Sequence, residues 1–275
     1  MTDDPIDPES IAGTFLSRNV RFLPNCPSTN NVARELAITG EPEGLIVITD
    51  CQTAGRGRLD RSWRAPAGSS LLFSLLLRPP LAPERALQAV MAVSLGVMEG
   101  IRRECDLPAR LKWPNDILID GKKAGGILCE LGLEGEKLDY AIVGVGLNVN
   151  FDPRGMEGIP PNATSILVER RRPQPRNTLL RAILREMEPR YRAILRGGSL
   201  REEWARALET LGRRVRVTLA EGLPSRLPSR SGGSGGELDG TAEAVEETGA
   251  LVVRMTDGSA RTILAGDVVH LEEVK

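Results

Sequence analysis

Two apolar runs, with a segment rich in glycine and arginine between them, constrain the fold of this chain more than any other feature. Residues 45–49 and 71–77 have the composition and length of buried β-strands. The segment that joins them, the Gly/Arg loop (residues 55–63), opens with Gly-Arg-Gly-Arg and ends at Trp63. Its glycines free the backbone and its arginines supply fixed cations. The pattern therefore predicts a sheet protein with a loop that closes over an anion.

The remaining periodicity predicts a mixed β-sheet with helices packed on one face, an α+β fold. Apolar residues at helical spacing predict helices over 28–37, 83–101, 179–195 and 204–211. Further strands are predicted over 117–119, 126–131 and 138–150. Asp120-Gly121 is a strong two-residue turn signal between the first two of these strands.

The pattern changes after Gly212, where short alternating runs predict a small β-barrel-like domain. We expect a catalytic domain over residues 1–211 and a C-terminal β domain over 212–275. Within the second domain, residues 221–237 contain a Ser/Gly run and are predicted to form a flexible, exposed insertion.

Composition excludes several classes of protein. The formal net charge is −1, so no global field attracts nucleic acid or membranes, and any anion must be held locally. The acidic N-terminus has no apolar segment, and the longest apolar runs are far too short to span a bilayer, so we expect a cytoplasmic protein. Four scattered cysteines and a single histidine give no zinc ligand set and no activated thiol.

A second polar cluster adds further charge to the predicted site. Lys112-Trp-Pro-Asn115-Asp116 supplies a cation, an amide and a carboxylate, and Lys123 precedes the pair Gly125-Gly126. A lysine beside exposed backbone suits the charge that develops in phosphoryl or nucleotidyl transfer. Structural alternatives are a solvated turn for the Gly/Arg loop and a solvated hairpin lysine for Lys123. The two clusters together indicate a nucleotide-activating enzyme.

In this order, the motifs resemble those of the biotin protein ligase family over most of the chain. The motifs that carry the resemblance are Ser28-Thr29-Asn30, Gln52, Gly55-Arg56-Gly57-Arg58 with Arg61 and Trp63, Lys112 to Asp116, Lys123 to Leu128, and Gly144-Val145-Gly146-Leu147-Asn148. The resemblance implies a class II synthetase-like (biotin–lipoate ligase) fold with a C-terminal SH3-like β-barrel.

The resemblance also implies the activity of a biotin–[acetyl-CoA-carboxylase] ligase. Biotin would react with Mg·ATP to give biotinyl-5′-adenylate, and a lysine of a biotin carboxyl carrier protein would then accept the biotin. The implied cosubstrate and ion are ATP and Mg²⁺. No nucleic-acid or membrane partner is expected, and the question of a homodimer stays open.

Residue roles follow from the same resemblance. The implied catalytic residues are Lys123, Arg56, Arg58 and Asp116, with Asp116 also the implied Mg²⁺ ligand. Biotin would be bound by Ser28, Thr29, Asn30, Gln52, Gly55, Arg56, Lys123 and Gly126, and ATP by Arg58, Trp63, Lys112, Asn115 and Asn148.

The chain departs from the family pattern at three places. Leu59-Asp60 follows the second arginine of the loop, where Arg-Gly or a small residue followed by glycine is common, and no arginine follows Arg261. Only about two dozen residues precede Ser28, too few for an independently folded DNA-binding domain, so no repressor function is expected.

Three other functions stay open at this point. A lipoate ligase would need the same cationic loop and lysine, and competition between biotin and lipoate would separate the two. A nucleic-acid-binding module predicts a basic patch with interleaved aromatic residues, whereas aromatic residues make up only 3% of this chain. A noncatalytic adaptor would keep its function after every motif residue is changed.

Overall fold

The structure is a computed structural model and describes residues 4–59, 61–219 and 236–271. The helices are α1 (Pro8–Ile11), α2 (Thr29–Ile38), α3 (Leu87–Cys105), α4 (Ile166–Arg170), α5 (Arg176–Leu195) and α6 (Arg201–Ala207). The strands are β1 (Asn19–Cys26), β2 (Leu45–Gln52), β3 (Ser70–Leu77), β4 (Ala109–Lys112), β5 (Asp116–Ile119), β6 (Lys122–Glu134), β7 (Lys137–Asn148), β8 (Arg214–Leu219), β9 (Glu237–Val245), β10 (Leu251–Met255), β11 (Ala260–Ile263) and β12 (Gly266–His270).

The first seven strands form one mixed sheet in the order β1-β2-β3-β7-β6-β5-β4. β1 and β2 are parallel, and the other neighbours are antiparallel. β3 lies at the centre between β2 and β7, and all eight of its residues are buried. Because a central strand is covered on both faces, it has a continuous apolar sequence rather than an alternating one. The predicted mixed sheet is confirmed.

The two long helices, α3 and α5, cover one face of this sheet as predicted. They pack closely because Gly96 in α3 has no side chain: a Cβ placed there would lie 2.7 Å from the Cβ of Met187 in α5. Leu71, Phe73 and Leu75 of β3 belong to the core on this face.

The shorter helix α2 packs on the opposite face, which the sequence pattern did not indicate. Ala33 and Ala37 of α2 join a separate apolar cluster with Val47 of β2, Leu76 of β3 and Ile142 of β7. Since β3 is apolar on both faces, its second face also needs cover, and α2 provides it. The predicted α+β class is confirmed, with one helix added on the second face.

A separate antiparallel sheet follows in the order β11-β10-β9-β8-β12, which confirms a small C-terminal β domain. Among the described residues the strand pairings run from β11 at one edge to β12 at the other. Of the predicted insertion 221–237, only Gly236 and Glu237 lie within the described residues. The predicted domain boundary at 211/212 stays a prediction.

The C-terminal sheet docks on the main domain through buried hydrogen bonds. The indole Nε1 of Trp113 donates to the Gly249 carbonyl oxygen at 2.9 Å, and the Gln88 amide donates to the Glu247 carbonyl oxygen at 3.0 Å. This docking brings β12 beside the Gly/Arg loop, where Asp267 pairs with Arg61. In the part of the chain that the structure describes, no helix is long and apolar enough to cross a membrane.

Candidate active site

A cavity of about 590 Å³ lies where α2, β6 and β7 meet the Gly/Arg loop, with β12 at its rim. It brings together most of the residues that the sequence motifs single out. The predicted site residues that line it are Ser28, Thr29, Asn30, Gln52, Arg56, Arg58, Trp63, Lys112, Asn115, Asp116, Lys123 and Gly126.

Two predicted residues, Gly55 and Asn148, do not line the cavity. The carbonyl oxygen of Gly55 accepts a hydrogen bond from the Trp63 N–H at 2.9 Å. This bond joins the two ends of the loop, so Gly55 supports the loop without lining the cavity. The Asn148 side chain is buried and donates to the Thr164 carbonyl oxygen at 3.0 Å. Thr164 N–H in turn donates to the Lys123 carbonyl oxygen. Asn148 thus supports the backbone beside Lys123, and its predicted contact with adenine stays a prediction.

One end of the cavity is lined by buried, uncharged polar groups at the start of α2. The Thr29 N–H donates to Gln52 Oε1 at 2.8 Å, and the Thr29 hydroxyl lies 3.2 Å from the same oxygen. The Ser74 hydroxyl lies 2.7 Å from Thr29 Oγ1 and 2.6 Å from Asn30 Oδ1. Asn30 Nδ2 donates to Glu130 at 2.8 Å. This end offers hydrogen-bond donors and acceptors to a neutral polar ligand.

Cations from the Gly/Arg loop lie along the rest of the cavity. Arg56 Nη2 donates to Glu130 at 2.8 Å, whereas Arg58 Nη1 donates to Asn115 Oδ1 at 3.3 Å and to the Gly266 carbonyl oxygen at 3.4 Å. Burial lowers the pKa of Arg58 from its usual value, and nearby carboxylates oppose this effect. An arginine nevertheless stays charged at neutral pH, so Arg58 places a cation inside the cavity.

Two lysines and a carboxylate from β4, β5 and β6 also line the cavity. Lys123 Nζ on β6 is 2.6 Å from Oδ1 of Asp116, the first residue of the paired strand β5. Lys112 lies on β4, opposite Asp116 of the neighbouring strand β5. Burial lowers the pKa of Lys112 below that of a solvated lysine. The neighbouring His270 has its pKa lowered to about 4 by burial and by the charge of Lys112, so it is neutral at pH 7. Lys112 and Lys123 are therefore the cations that β4 and β6 contribute to the cavity.

The Trp63 indole lies flat on the bare backbone of β6 and β7. A Cβ on Gly146 would come within 2.6 Å of Trp63 Cε2, and one on Gly126 within 3.4 Å of Trp63 Cζ3. The glycines therefore form a floor for the ring. The indole Nε1 is buried and has no hydrogen-bond partner among the described residues.

The described residues hold no large cluster of metal-ligating side chains, and the Cys105 thiol is buried. The residues from 4 to 271 that the structure describes contain no group of three or more His, Cys, Asp or Glu side chains that would hold a metal through protein ligands alone. The cysteines are free, and burial raises the pKa of the Cys105 thiol to about 12. At neutral pH Cys105 is therefore a protonated thiol.

Comparisons with known proteins agree with this geometry. A model described as the biotin/lipoate A/B protein ligase family matches residues 22–148, and a biotin protein ligase C-terminal domain model matches residues 232–271. The biotin–[acetyl-CoA-carboxylase] ligase of Mycobacterium tuberculosis is 31% identical over 280 residues, which cover 97% of this chain and 96% of that protein. The chain belongs to the biotin protein ligase family.

Other members of the biotin protein ligase family extend the comparison. The bifunctional ligase/repressor BirA of Bacillus subtilis is 31% identical over 244 residues, 88% of this chain and 70% of that protein. The Aquifex aeolicus biotin protein ligase in complex with biotin and ATP has a TM-score of 0.71 and 26% identity, with 92% of this chain and 98% of that chain covered. The predicted fold and the predicted class of enzyme are thereby confirmed.

Three side chains at the ligase site escaped the sequence motifs. Ser74 and Glu130 join the uncharged end of the cavity to the Gly/Arg loop, and Asp267 of β12 forms an ion pair with Arg61. Ser74 had one usable signal, since it is a lone polar residue inside the apolar strand β3. Nothing in the local sequence marks Glu130, because its partners come from α2 and the loop.

Proposed function

We propose that this ligase activates biotin with Mg·ATP to biotinyl-5′-adenylate and transfers the biotin to a lysine of a carrier protein of a biotin-dependent carboxylase. One observation carries the proposal. A single cavity has uncharged donors and acceptors at one end and the cations Arg58, Lys112 and Lys123 along the rest. Biotin has the same division, with a neutral ureido ring at one end and a carboxylate at the other.

The uncharged end fits the ureido group. That group has two N–H donors and one carbonyl acceptor, and the amides and hydroxyls of Thr29, Asn30 and Gln52 supply both functions. Because these side chains are held by one another and by Ser74, they need not reorganise when the ring enters.

The cationic part addresses the main barrier to the first step. A carboxylate oxygen must attack the α-phosphorus of ATP as the bond to pyrophosphate breaks, yet the two anions repel each other. Lys123 and Arg58, which both line the cavity, neutralise this charge, and Asp116 fixes the Lys123 ammonium before substrates arrive. In the second step a lysine amine attacks the acyl carbon of the mixed anhydride, and AMP leaves.

The nucleotide would lie over the Trp63 indole. The exposed face of a flat ring on a glycine floor is suited to stacking against adenine. Asn115 already donates to the Ile127 carbonyl oxygen at 2.8 Å and accepts from Arg58. In this proposal Asn115 positions Arg58, and pairing with adenine would require it to exchange one of these bonds.

The site also fits Mg²⁺, which typically uses one or two protein carboxylates together with phosphate oxygens. Asp116 is the carboxylate placed to hold it, and the ion would neutralise charge on the polyphosphate.

Relatives support the substrates. A Leishmania major biotin protein ligase in complex with biotinyl-5-AMP has a TM-score of 0.57 and 25% identity to this chain. The carboxylase in the name of the Mycobacterium tuberculosis relative supports a carrier protein as acceptor. Cytoplasmic location, the absence of a nucleic-acid partner and the oligomeric state stay predictions.

The direct test mixes the purified protein with biotin, Mg·ATP and a biotin carboxyl carrier domain and follows the carrier by mass spectrometry. We expect its acceptor lysine to gain biotin only when ATP is present, and a carrier with that lysine replaced by arginine to gain none. An added excess of lipoate should not compete. No biotinylation, on a carrier that a known biotin protein ligase does modify, would refute the proposal.

A further inference from the structure

Glu130 of β6 connects the two halves of the cavity. Its side chain is only 22% exposed. It accepts a hydrogen bond from Asn30 Nδ2 at 2.8 Å on the uncharged side and one from Arg56 Nη2 at 2.8 Å on the side of the Gly/Arg loop. Asn31 Oδ1 accepts from the same Arg56 nitrogen at 2.7 Å. One carboxylate therefore holds a cavity wall and the loop together.

Glu130 also lies near the end of a continuous polar network. The network runs from Gln52 through Thr29, Ser74, Asn30 and Glu130 to Arg56, with donor–acceptor distances between 2.6 and 3.2 Å. Such chains fix each member through its neighbours. The position of Arg56 is thus linked to the groups that would bind the ureido ring.

The Glu130 carboxylate makes a charge-assisted hydrogen bond with Arg56 of the loop. It also accepts a hydrogen bond from the neutral amide of Asn30 in the cavity wall. Hydrogen bonds between a guanidinium and a carboxylate are stronger than neutral ones. Arg34 Nη1, 3.6 Å from Glu130 Oε1, adds a weaker second cation. Because Arg56 belongs to the loop and Asn30 to α2, breaking this contact would leave Arg56 attached to α2 only through the neutral hydrogen bond to Asn31.

We propose that Glu130 is a positioning residue that clasps Arg56 to Asn30 and thereby closes the Gly/Arg loop over the ring-binding end. This proposal rests on the proposed function, since the enclosed ligand is biotin and then the biotinyl group of the adenylate. The clasp slows escape of the ligand, and it does not take part in the bond-making step.

Glu130→Gln tests the clasp, because glutamine can still accept from Asn30 but offers no charge to Arg56. We expect the dissociation rate of biotin, measured by chasing bound radiolabelled biotin with unlabelled biotin, to rise about tenfold. The biotin KM in biotin-dependent ATP–pyrophosphate exchange should rise more than kcat falls. Glu130→Asp, which keeps the charge, should lie closer to the wild type than Glu130→Gln does.

The matched control is Glu134→Gln, four residues along the same strand, where the side chain is exposed. It should leave the dissociation rate unchanged. A wild-type dissociation rate in folded Glu130→Gln enzyme, or a fall in kcat with an unchanged biotin KM, would overturn the clasp. If the wild-type protein itself neither binds biotin nor exchanges pyrophosphate, the proposed function fails instead.

Discussion

The individual cations of the site differ in what holds them. Lys123 is fixed by the Asp116 carboxylate at 2.6 Å, whereas Arg58 is held by neutral oxygens of Asn115 and Gly266. A lysine on a flexible stem loses freedom when it is held by a carboxylate, so its charge is in place before the substrates meet. Lys123 is accordingly the residue on which the first step should depend most.

Replacing Lys123 with alanine should lower the rate of biotin-dependent ATP–pyrophosphate exchange by about 100-fold or more, because a preorganised charge at the reacting oxygens is lost. The adjacent Lys122 is an exposed control that pairs with Glu169 at 2.9 Å. Lys122→Ala should keep near wild-type exchange. Undiminished pyrophosphate release by Lys123→Ala would remove the role assigned to this lysine.

Lys112 should give nucleotide binding an alkaline pH limit. Burial lowers its pKa, so its charge is present below that pKa and is lost as the pH rises through it, earlier than for a solvated lysine. The KM for ATP should therefore rise with pH below the range in which a solvated lysine, with a pKa of about 10.4, loses its proton. Lys112→Arg, which keeps its charge throughout, should flatten that rise. The same alkaline rise in Lys112→Arg would show that another group is responsible.

Among the elements, β7 shapes the cavity through two glycines, which have no side chains. Gly144 and Gly146 lie two residues apart and so face the same side of the sheet. A Cβ on Gly144 would overlap Asn30 Oδ1, and one on Gly146 would press on the Trp63 ring at 2.6 Å. Each glycine therefore leaves room for one specific side chain of the site.

Alanine at these two positions should have separable effects. Gly144→Ala displaces Asn30 and should raise mainly the biotin KM, while Gly146→Ala lifts Trp63 and should raise mainly the ATP KM, each by roughly tenfold. Val143→Ala, on the other face of the same strand, should lower the unfolding midpoint without either change in KM. Equal shifts of both KM values in both glycine variants would argue against separate roles.

The sequence was most informative where an element carries its own local signal. Asp120 and Gly121 have φ angles of 48° and 73°, as the predicted two-residue turn requires, and β5 pairs with β6 directly across it. β1 was missed because its residues are mostly exposed or half-buried and include Pro24. β4 was missed because it has only four residues.

The same distinction holds for the site. Motif residues such as Lys123 and Gln52 were predicted because they stand in recognisable local patterns. Glu130 and Asp267 act through partners about 74 and 206 residues away in sequence, and such pairings become visible only after the sheet and the second domain are assembled.

At the scale of the whole molecule, the C-terminal sheet contributes to the catalytic cavity. β12 supplies the Gly266 carbonyl oxygen to Arg58 and the Asp267 carboxylate to Arg61 of the Gly/Arg loop. Val268 and Val269 of the same strand line the cavity. The small domain is therefore placed to hold the loop in its position at the cavity.

Asp267→Asn should raise the KM for ATP several-fold, because it releases the loop without removing a group that contacts the reacting atoms. Stability should change by only about 0 to 1 kcal/mol, since the Arg61 side chain is 65% exposed. Asp239→Asn, which breaks an exposed pair with Arg216 on the same sheet, is the matched control and should leave the KM unchanged. An unaltered ATP KM in Asp267→Asn would show that the sheet does not act on the loop.

The indole nitrogen of Trp63, which has no hydrogen-bond partner among the described residues, makes this residue an intrinsic fluorescent probe of the cavity. The chain has three tryptophans, and the other two are buried with their nitrogens bonded to Gly249 and Ser94. Trp204 does not line the cavity, whereas Trp113 lines it and is only 2% exposed. A change in intrinsic fluorescence on adding nucleotide that is lost in Trp63→Phe can therefore be assigned to this ring, so that occupancy of the site can be followed in real time without any label.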